Sequence, residues 1–211
     1  MKLPFTIQEF LEVFKDYNRA IWPLQVIFWL TATAMIIMII KRSVPGRWAL
    51  TVLSVLWLWM GIVYHYYFFS GINTAAYVFG TLFVLQGIFF LLYGFSKNVS
   101  FHFRKSTNGF AAVLVIIYAL LIYPAIGYFT GHAYPYSPTF GLPCPTTIYT
   151  FGMLLLAEKR LSLYLLIIPF IWSVIGFSAA LALGMYEDTG LIVAAIAAAM
   201  IGYRNRGNKE Y

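Results

Sequence analysis

Residues 21–40 read IWPLQVIFWLTATAMIIMII, twenty residues without a charged side chain, and Lys41 and Arg42 follow directly. An α-helix rises 1.5 Å per residue, so about 20 apolar residues cross the ~30 Å hydrocarbon core of a bilayer. Similar runs recur along the chain and predict spans at 21–40, 48–69, 73–95, 109–130, 142–157, 161–184 and 188–203. The sequence therefore predicts an all-α, polytopic membrane helix bundle with seven transmembrane spans.

The composition agrees with a membrane protein. Hydrophobic residues make up 62% of the chain and charged residues only 10%, whereas about 25% of the residues in a soluble domain are charged. The net charge of +7 is better explained by basic cytoplasmic loops than by nucleic-acid binding, because no basic run is interleaved with aromatic residues outside the spans. One cysteine excludes an intrachain disulfide, and no secretory signal peptide is visible.

The distribution of lysine and arginine predicts the orientation. Cytoplasmic loops carry an excess of these residues. With seven spans and the N-terminus outside, eleven of the fourteen basic residues fall on the cytoplasmic side, namely Lys41, Arg42, Arg47, Lys97, Arg104, Lys105, Lys159, Arg160, Arg204, Arg206 and Lys209. If 142–157 did not cross, only six would lie inside and eight outside. We therefore expect seven spans, an external N-terminus and a cytoplasmic C-terminus.

Residues 1–20 form an amphipathic segment before the seven-span domain of residues 21–211. The stretch TIQE allows a capping box in which Thr6 caps a helix and Glu9 reaches back to it. Apolar residues then recur at helical spacing on one face, at Ile7, Phe10, Leu11, Phe14 and Tyr17. This predicts a short external helix on the outer leaflet or over the mouth of the bundle. A membrane-surface anchor is the simpler interpretation, and a docking site for a partner is the alternative.

The stretch GHAYPYSPTFGLPCPTT, residues 131–147, interrupts the apolar runs. The span that follows it, 142–157, is only about 24 Å long as a helix, which is shorter than the bilayer core. Cys144 must then lie below the outer surface, and the proline-rich stretch dips into the bundle. Irregular backbone at that depth is tolerated where it is covered by protein or lines a water-filled cavity. We therefore predict an outward-facing polar cup with His65 on its wall.

Three interpretations of this cup remain open. Its candidate ligand-binding residues are His65, His132, Tyr134, Cys144, Pro145, Thr146, Thr147 and Asp188. The helix that begins near Pro145 offers free amides to an anion. Alternatively, His65, His132, Cys144 and Asp188 have the ligand chemistry of a zinc or copper site. In the third interpretation, Cys144 is a small buried apolar residue and the histidines are hydrogen-bonded; no catalytic residue or cofactor is predicted.

Three stretches together resemble a known family: YHYYFFSGINTAAYVFG (64–80), YPAIGYFTGHAYPYSPTFGLPCPTTIYTFG (123–152) and IPFIWSVIGFSAALALG (168–184). The family is a prokaryotic group of small integral membrane proteins known only as a domain of unknown function. Its most specific part here is His132, Pro135, Pro138, Gly141, Cys144 and Pro145. The resemblance implies a multi-span membrane protein, and it implies no reaction, substrate or catalytic residue.

The sequence leaves several function classes open. The last span has no lysine for a retinal Schiff base, and no zinc-protease, nucleophile-elbow or phosphate-loop motif is present. Our leading hypothesis is a non-ATPase, multi-pass protein of the prokaryotic cell membrane that binds a small solute or ion, as a transporter or channel-like protein; whether it is also an enzyme stays open. The alternatives are a membrane-embedded metalloenzyme using the same residues and an accessory subunit of a membrane complex. The expected partners are the lipid bilayer and the solute or ion, with a homo-oligomer or larger complex also open.

Overall fold

A computed structural model describes residues 4–159 and 161–207, with side chains up to residue 200. Of the fourteen basic residues, Lys2, Arg160 and Lys209 lie outside the described residues, as do the side chains of Arg204 and Arg206.

The described chain is mostly helical. Its elements are α1 (Ile7–Ala20), α2 (Leu24–Lys41), β1 (Val44–Pro45), α3 (Gly46–Trp59), a π-helix (Met60–Phe68), a 3-10 turn (Phe69–Gly71), α4 (Ala76–Ser96), β2 (Ser100–Phe101), α5 (Thr107–Ile117), a second π-helix (Tyr118–Ile122), α6 (Tyr123–Phe129), α7 (Pro143–Leu155), α8 (Tyr164–Leu183), a 3-10 turn (Tyr186–Asp188) and α9 (Thr189–Gly207). The predicted all-α class is therefore confirmed, with one two-residue strand pairing between β1 and β2.

Five helical stretches of the described chain are long and apolar enough to cross a membrane. They are Leu24–Lys41, Gly46–Gly71, Ala76–Ser96, Thr107–Phe129 and Tyr164–Leu183. Each corresponds to one of the predicted spans, which supports a membrane protein. The other two predicted spans, 142–157 and 188–203, are also helical here, as α7 and α9. Length and composition alone do not mark these two as crossings.

The short helix α7 lies in the centre of the bundle. Its 13 residues amount to about 20 Å at 1.5 Å per residue. Every residue from Pro145 to Leu154 is buried, and α7 packs against α5, α8 and α9. A helix that is covered on all sides belongs to a protein core rather than to a surface that faces lipid.

The two ends of α7 lie at opposite ends of the bundle. At one end, Ala157 pairs with Phe101 of β2, and the Glu158 amide donates to the Ser100 carbonyl at 2.9 Å. At the other end, the Tyr17 hydroxyl of α1 donates to the Gly141 carbonyl at 3.2 Å. The loop regions 42–45, 97–106 and 156–159 therefore meet at one end, and α1 and the proline-rich stretch share the other.

The amphipathic helix α1 packs on the protein. The predicted capping box is present, with Thr6 and Glu9 each bonding the other's backbone. The apolar face meets aromatic rings at the end of the first π-helix: the Tyr17 and Phe68 ring centroids are 5.4 Å apart, and those of Phe10 and Phe69 are 5.9 Å apart. Of the two positions that the sequence allows for this helix, a cover over the bundle is the one that these contacts favour.

Candidate functional site

A cavity of ≈ 370 Å³ lies between α1, the first π-helix, α8 and the loop before α7. This volume is within the range of about 300–1,000 Å³ that is usual for small-molecule sites. Most of its wall is aromatic or aliphatic. Its polar side chains include Tyr123, Cys144, Trp172 and Asp188, and these four form what we call the polar floor.

The N-terminal segment covers the cavity. Phe5, Phe10 and Phe14 all line it, and the ring centroids of Phe10 and Phe14 are 4.5 Å apart. Val174 also lines the cavity, although 59% of its surface is exposed. The cavity therefore has an aromatic cover and reaches the protein surface at an apolar rim on α8.

Asp188 is the acidic group of the polar floor. It is buried and accepts a 2.5 Å hydrogen bond from the Tyr123 hydroxyl, and the Cys144 thiol lies beside it. Burial raises the pKa of Asp188 from 3.8 to about 7; the Tyr123 hydroxyl opposes this rise, nearby Glu187 adds to it, and the Cys144 thiol opposes it. Asp188 can therefore be either protonated or charged near neutral pH.

The Cys144 thiol and the Trp172 indole meet beside Gly176. A Cβ atom at Gly176 would lie 2.8 Å from the Leu191 Cδ1, 3.6 Å from the Cys144 sulfur and 3.6 Å from the Trp172 Nε1. The buried Nε1 of Trp172 lies within hydrogen-bonding reach of the thiol. The absence of a side chain at Gly176 thus allows these groups to approach one another, and Cys144, Trp172 and Gly176 all line the cavity.

His132 pairs with Glu187, the residue before Asp188, and not with Asp188 itself. Its Nδ1 lies 2.9 Å from the Glu187 Oε1, and the Glu187 side chain is fully buried. The Glu187 carbonyl accepts from the Tyr118 hydroxyl at 2.7 Å. The Oε2 of Glu187 has no partner among the described residues. This pair adjoins the polar floor at the same end of the bundle.

His65 lies behind the cavity wall. It sits in the first π-helix, is fully buried, and neither ring nitrogen has a partner among the described residues. The imidazole is enclosed by the rings of Tyr64, Phe69, Phe79, Phe83 and Trp172, with centroids 4.7–6.0 Å away. Trp172 therefore contacts the His65 ring and is also close to the Cys144 thiol.

Asn18 of α1 holds the proline-rich stretch in place. Its side-chain amide donates to the Pro135 carbonyl at 2.7 Å and to the Ser137 carbonyl at 2.8 Å. Its Oδ1 accepts from the Thr139 hydroxyl at 2.6 Å. Tyr134 is 53% exposed and donates to the Asn18 carbonyl at 3.4 Å. Several polar groups of this stretch are thus satisfied by α1, which sequence reasoning did not foresee.

The remaining predicted residues lie at the start of α7. Pro145 lines the cavity. The Thr146 hydroxyl accepts from the Gly141 amide at 3.2 Å, whereas the buried Thr147 hydroxyl has no partner among the described residues. The structure therefore brings Cys144, Pro145 and Asp188 together at the cavity and places His65, His132 and Tyr134 elsewhere.

The zinc or copper site stays a sequence prediction. Within residues 4–159 and 161–207, no three histidine, cysteine, aspartate or glutamate side chains are close enough to share an ion. His65 and His132 belong to the two separate surroundings described above.

Sequence reasoning missed two residues of the polar floor, Tyr123 and Trp172. Tyr123 gives no signal in the sequence, because its partner Asp188 is 65 positions away. Trp172 carries the weak signal of an indole within an apolar span, where its N–H group needs a partner. Gly176 follows four positions later on the same helix, and so small a residue next to Trp172 is consistent with a cavity at this position.

The family model for a "Family of unknown function (DUF6064)" matches residues 7–210. This confirms the resemblance to a family of unknown function. No curated protein and no solved structure matches the chain.

Proposed function

We propose that this chain, which belongs to the DUF6064 family, is a multi-pass protein of the cell membrane that binds a small, largely apolar solute and moves it. The observation that carries this proposal is the covered cavity of ≈ 370 Å³ with one buried carboxyl group, Asp188, in a wall that is mostly aromatic or aliphatic. An apolar wall selects an apolar body, and a few placed polar groups fix its orientation.

Seven crossings would place this cavity on the outer face. The contacts at both ends of α7 support a crossing by this short helix, since its ends meet different sets of loops. Lys41, Lys97 and Lys159 all lie at the end of the bundle where these loops meet β1 and β2. The positive-inside rule makes that end cytoplasmic. The cavity, α1 and the proline-rich stretch would then face outward.

The position of the cavity favours transport over simple packing. Its cover, α1, contacts the bundle mainly through aromatic rings, and its rim at Val174 lies on a helix that is long and apolar enough to span the membrane. A solute could enter from the outer half of the bilayer and be enclosed when α1 is seated. This route suits a molecule that already partitions into lipid.

Alkylation of Cys144, the only cysteine of the chain, tests the cavity directly. The protein is reconstituted in lipid nanodiscs and treated with N-ethylmaleimide, and intact mass spectrometry gives the labelling rate. Ala179 lines the cavity, so Ala179→Phe should slow the labelling. Leu181 lies on the same helix with 68% of its surface exposed, so the matched control Leu181→Phe should label at the wild-type rate.

A neutral apolar probe, tert-butylbenzene, should also slow the labelling of wild-type Cys144. If Cys144 does not label, or if both Ala179→Phe and tert-butylbenzene leave its rate unchanged, the cavity is not an accessible binding site. Either result would contradict the proposed function.

A further inference from the structure

We infer that the solute is an apolar organic cation, a quaternary or tertiary ammonium compound, and that its binding displaces a proton from Asp188. This inference rests on the proposed function and assigns a ligand class and a coupled ion to the same cavity.

The charge of the cavity wall is the first argument. Asp188 lines the cavity, and no lysine or arginine lies among the described residues that line it. A charged carboxylate that is buried without a counter-charge is strongly disfavoured, so the group binds a proton instead. A cation in the cavity would supply the missing counter-charge and remove the need for that proton.

The second argument is that the polar floor is arranged to accept a charged Asp188. The Tyr123 hydroxyl donates to Asp188 at 2.5 Å, and the Cys144 thiol lies within hydrogen-bonding reach on another side. The N–H group of Trp172 in turn lies within hydrogen-bonding reach of the thiol. Donors that point toward a carboxylate stabilise its charged form, so little rearrangement is needed when the proton leaves.

The titratable groups near Asp188, among the residues whose side chains the structure describes, fit this inference. They are Tyr64 of the first π-helix, Tyr118 of the second, Tyr123 of α6, Cys144 of α7 and the neighbouring Glu187, which is paired with His132. None of the tyrosines or the cysteine carries a positive charge in either state. His132, the one group that can be cationic, already faces Glu187.

The third argument is the aromatic content of the wall. Phe10, Phe14, Tyr64, Phe69, Phe79 and Trp172 all border the cavity. A cation over an aromatic face is attracted by the negative charge of the ring face, and quaternary ammonium groups are bound in this way by aromatic cages. A neutral hydrocarbon would use the same rings without needing the acid. The combination of aromatic rings and a carboxyl group without a counter-charge therefore selects a cation.

In this exchange one proton leaves the cavity for each cation that enters it. In the empty cavity the Asp188 carboxyl group holds a proton at a pH below its pKa of about 7. When the cation enters, the O–H bond breaks, the proton passes to water, and the bonding electron pair stays on the carboxylate. The net charge within the cavity is therefore the same in the empty and the cation-bound protein.

Two isosteric probes test the ligand class. Phenyltrimethylammonium and tert-butylbenzene have the same shape and differ in charge. Protection of Cys144 from N-ethylmaleimide at pH 8 should require about tenfold less phenyltrimethylammonium in the wild type than in Asp188→Asn. Protection by tert-butylbenzene should be the same in both proteins. Comparing variants with one probe at a time cancels the partitioning of that probe into lipid.

Proton release tests the coupling. Phenyltrimethylammonium cannot itself lose a proton, so every proton released into a weakly buffered solution comes from the protein. At pH 6, wild type should release about one proton per bound cation, while Asp188→Asn should release none.

The inference is overturned if tert-butylbenzene protects Cys144 and phenyltrimethylammonium does not, or if cation binding releases no proton at pH 6. The proposed function survives both of these results, because a neutral solute would still occupy the cavity. If neither probe protects Cys144 and Ala179→Phe labels at the wild-type rate, the proposed function fails as well.

Discussion

At the scale of single residues, Asp188 connects the stability of the protein to its chemistry. Its carboxyl group is buried, and its nearest hydrogen-bond donor is an uncharged tyrosine. A group in this position favours its neutral form in the folded state. This preference makes the stability of the protein sensitive to pH.

The first prediction is that wild-type stability falls as pH rises from about 4 to about 7. In this window the folded protein holds the Asp188 proton and the unfolded chain does not, because burial raises the pKa from 3.8 to about 7. The free energy of unfolding should fall by up to about 4 kcal/mol relative to Asp188→Asn, which has no proton to hold. Thermal unfolding of both proteins in nanodiscs at pH 4 and pH 8 measures this difference. Parallel pH profiles for the two proteins would contradict the role given to Asp188.

The second prediction concerns Asn18. Asn18→Ala leaves two carbonyls and one hydroxyl of the proline-rich stretch without their partner, at a cost of about 1–3 kcal/mol. The cover of the cavity should loosen, and N-ethylmaleimide should label Cys144 several-fold faster. Asp16 is exposed on the same helix, so Asp16→Ala serves as the control. Equal rates for both variants and wild type would show that α1 does not govern access to the cavity.

At the scale of elements, the helices follow from the sequence but their surroundings do not. Apolar runs set the positions of α2, α4 and α8 within a few residues of the predicted spans. Nothing in the run 142–157 reveals that α7 is covered on all sides, because side chains that pack on protein and those that face lipid are equally apolar. The same ambiguity hid the choice between lipid and protein for the apolar face of α1.

The close packing of α3 and its π-helix on α4 gives the third prediction. A Cβ atom at Gly61 would lie 2.8 Å from the Gly80 carbonyl oxygen and 2.9 Å from the Val84 nitrogen. Both are backbone atoms that cannot rotate away, so Gly61→Ala should lower the free energy of unfolding by about 1–3 kcal/mol. A Cβ at Gly71 meets nothing within 4 Å, so Gly71→Ala should be close to neutral. Thermal unfolding measures the difference: the midpoint of Gly61→Ala should lie below that of Gly71→Ala. Equal midpoints would contradict the tight contact at Gly61.

At the scale of the whole molecule, the sequence predicts a membrane-embedded helical bundle but not the cavity or its polar floor. The polar floor combines α6, α7, α8 and the turn before α9, and its members are far apart along the chain. Of the four residues of the polar floor, only Cys144 and Asp188 are recognisable in the sequence, as polar residues at the ends of predicted spans. The Tyr123 and Trp172 contributions depend on how the helices pack, which no local pattern encodes.

The fourth prediction is the membrane orientation. In a Cys144→Ser background, Ala133→Cys and Asn98→Cys each place one thiol at an exposed position at opposite ends of the bundle. A membrane-impermeant maleimide added to intact cells should label Ala133→Cys and spare Asn98→Cys, because the basic loops remain inside. After the cells are broken, both should label. Labelling of Asn98→Cys in intact cells would mean that the orientation is the opposite one and that the cavity faces the cytoplasm.

The most direct test of the account is to find where a cationic probe binds. A photoreactive azide analogue of phenyltrimethylammonium is irradiated with the protein in nanodiscs, and the modified peptides are mapped by mass spectrometry. We expect attachment at residues 142–145, at Trp172, Gly176 and Ala179 of α8 and at Phe10 and Phe14 of α1, all of which border the cavity, and we expect an excess of unlabelled phenyltrimethylammonium to suppress it. Attachment spread over the outer surface of α2, with no suppression by the competitor, would mean that no cation site exists at Asp188.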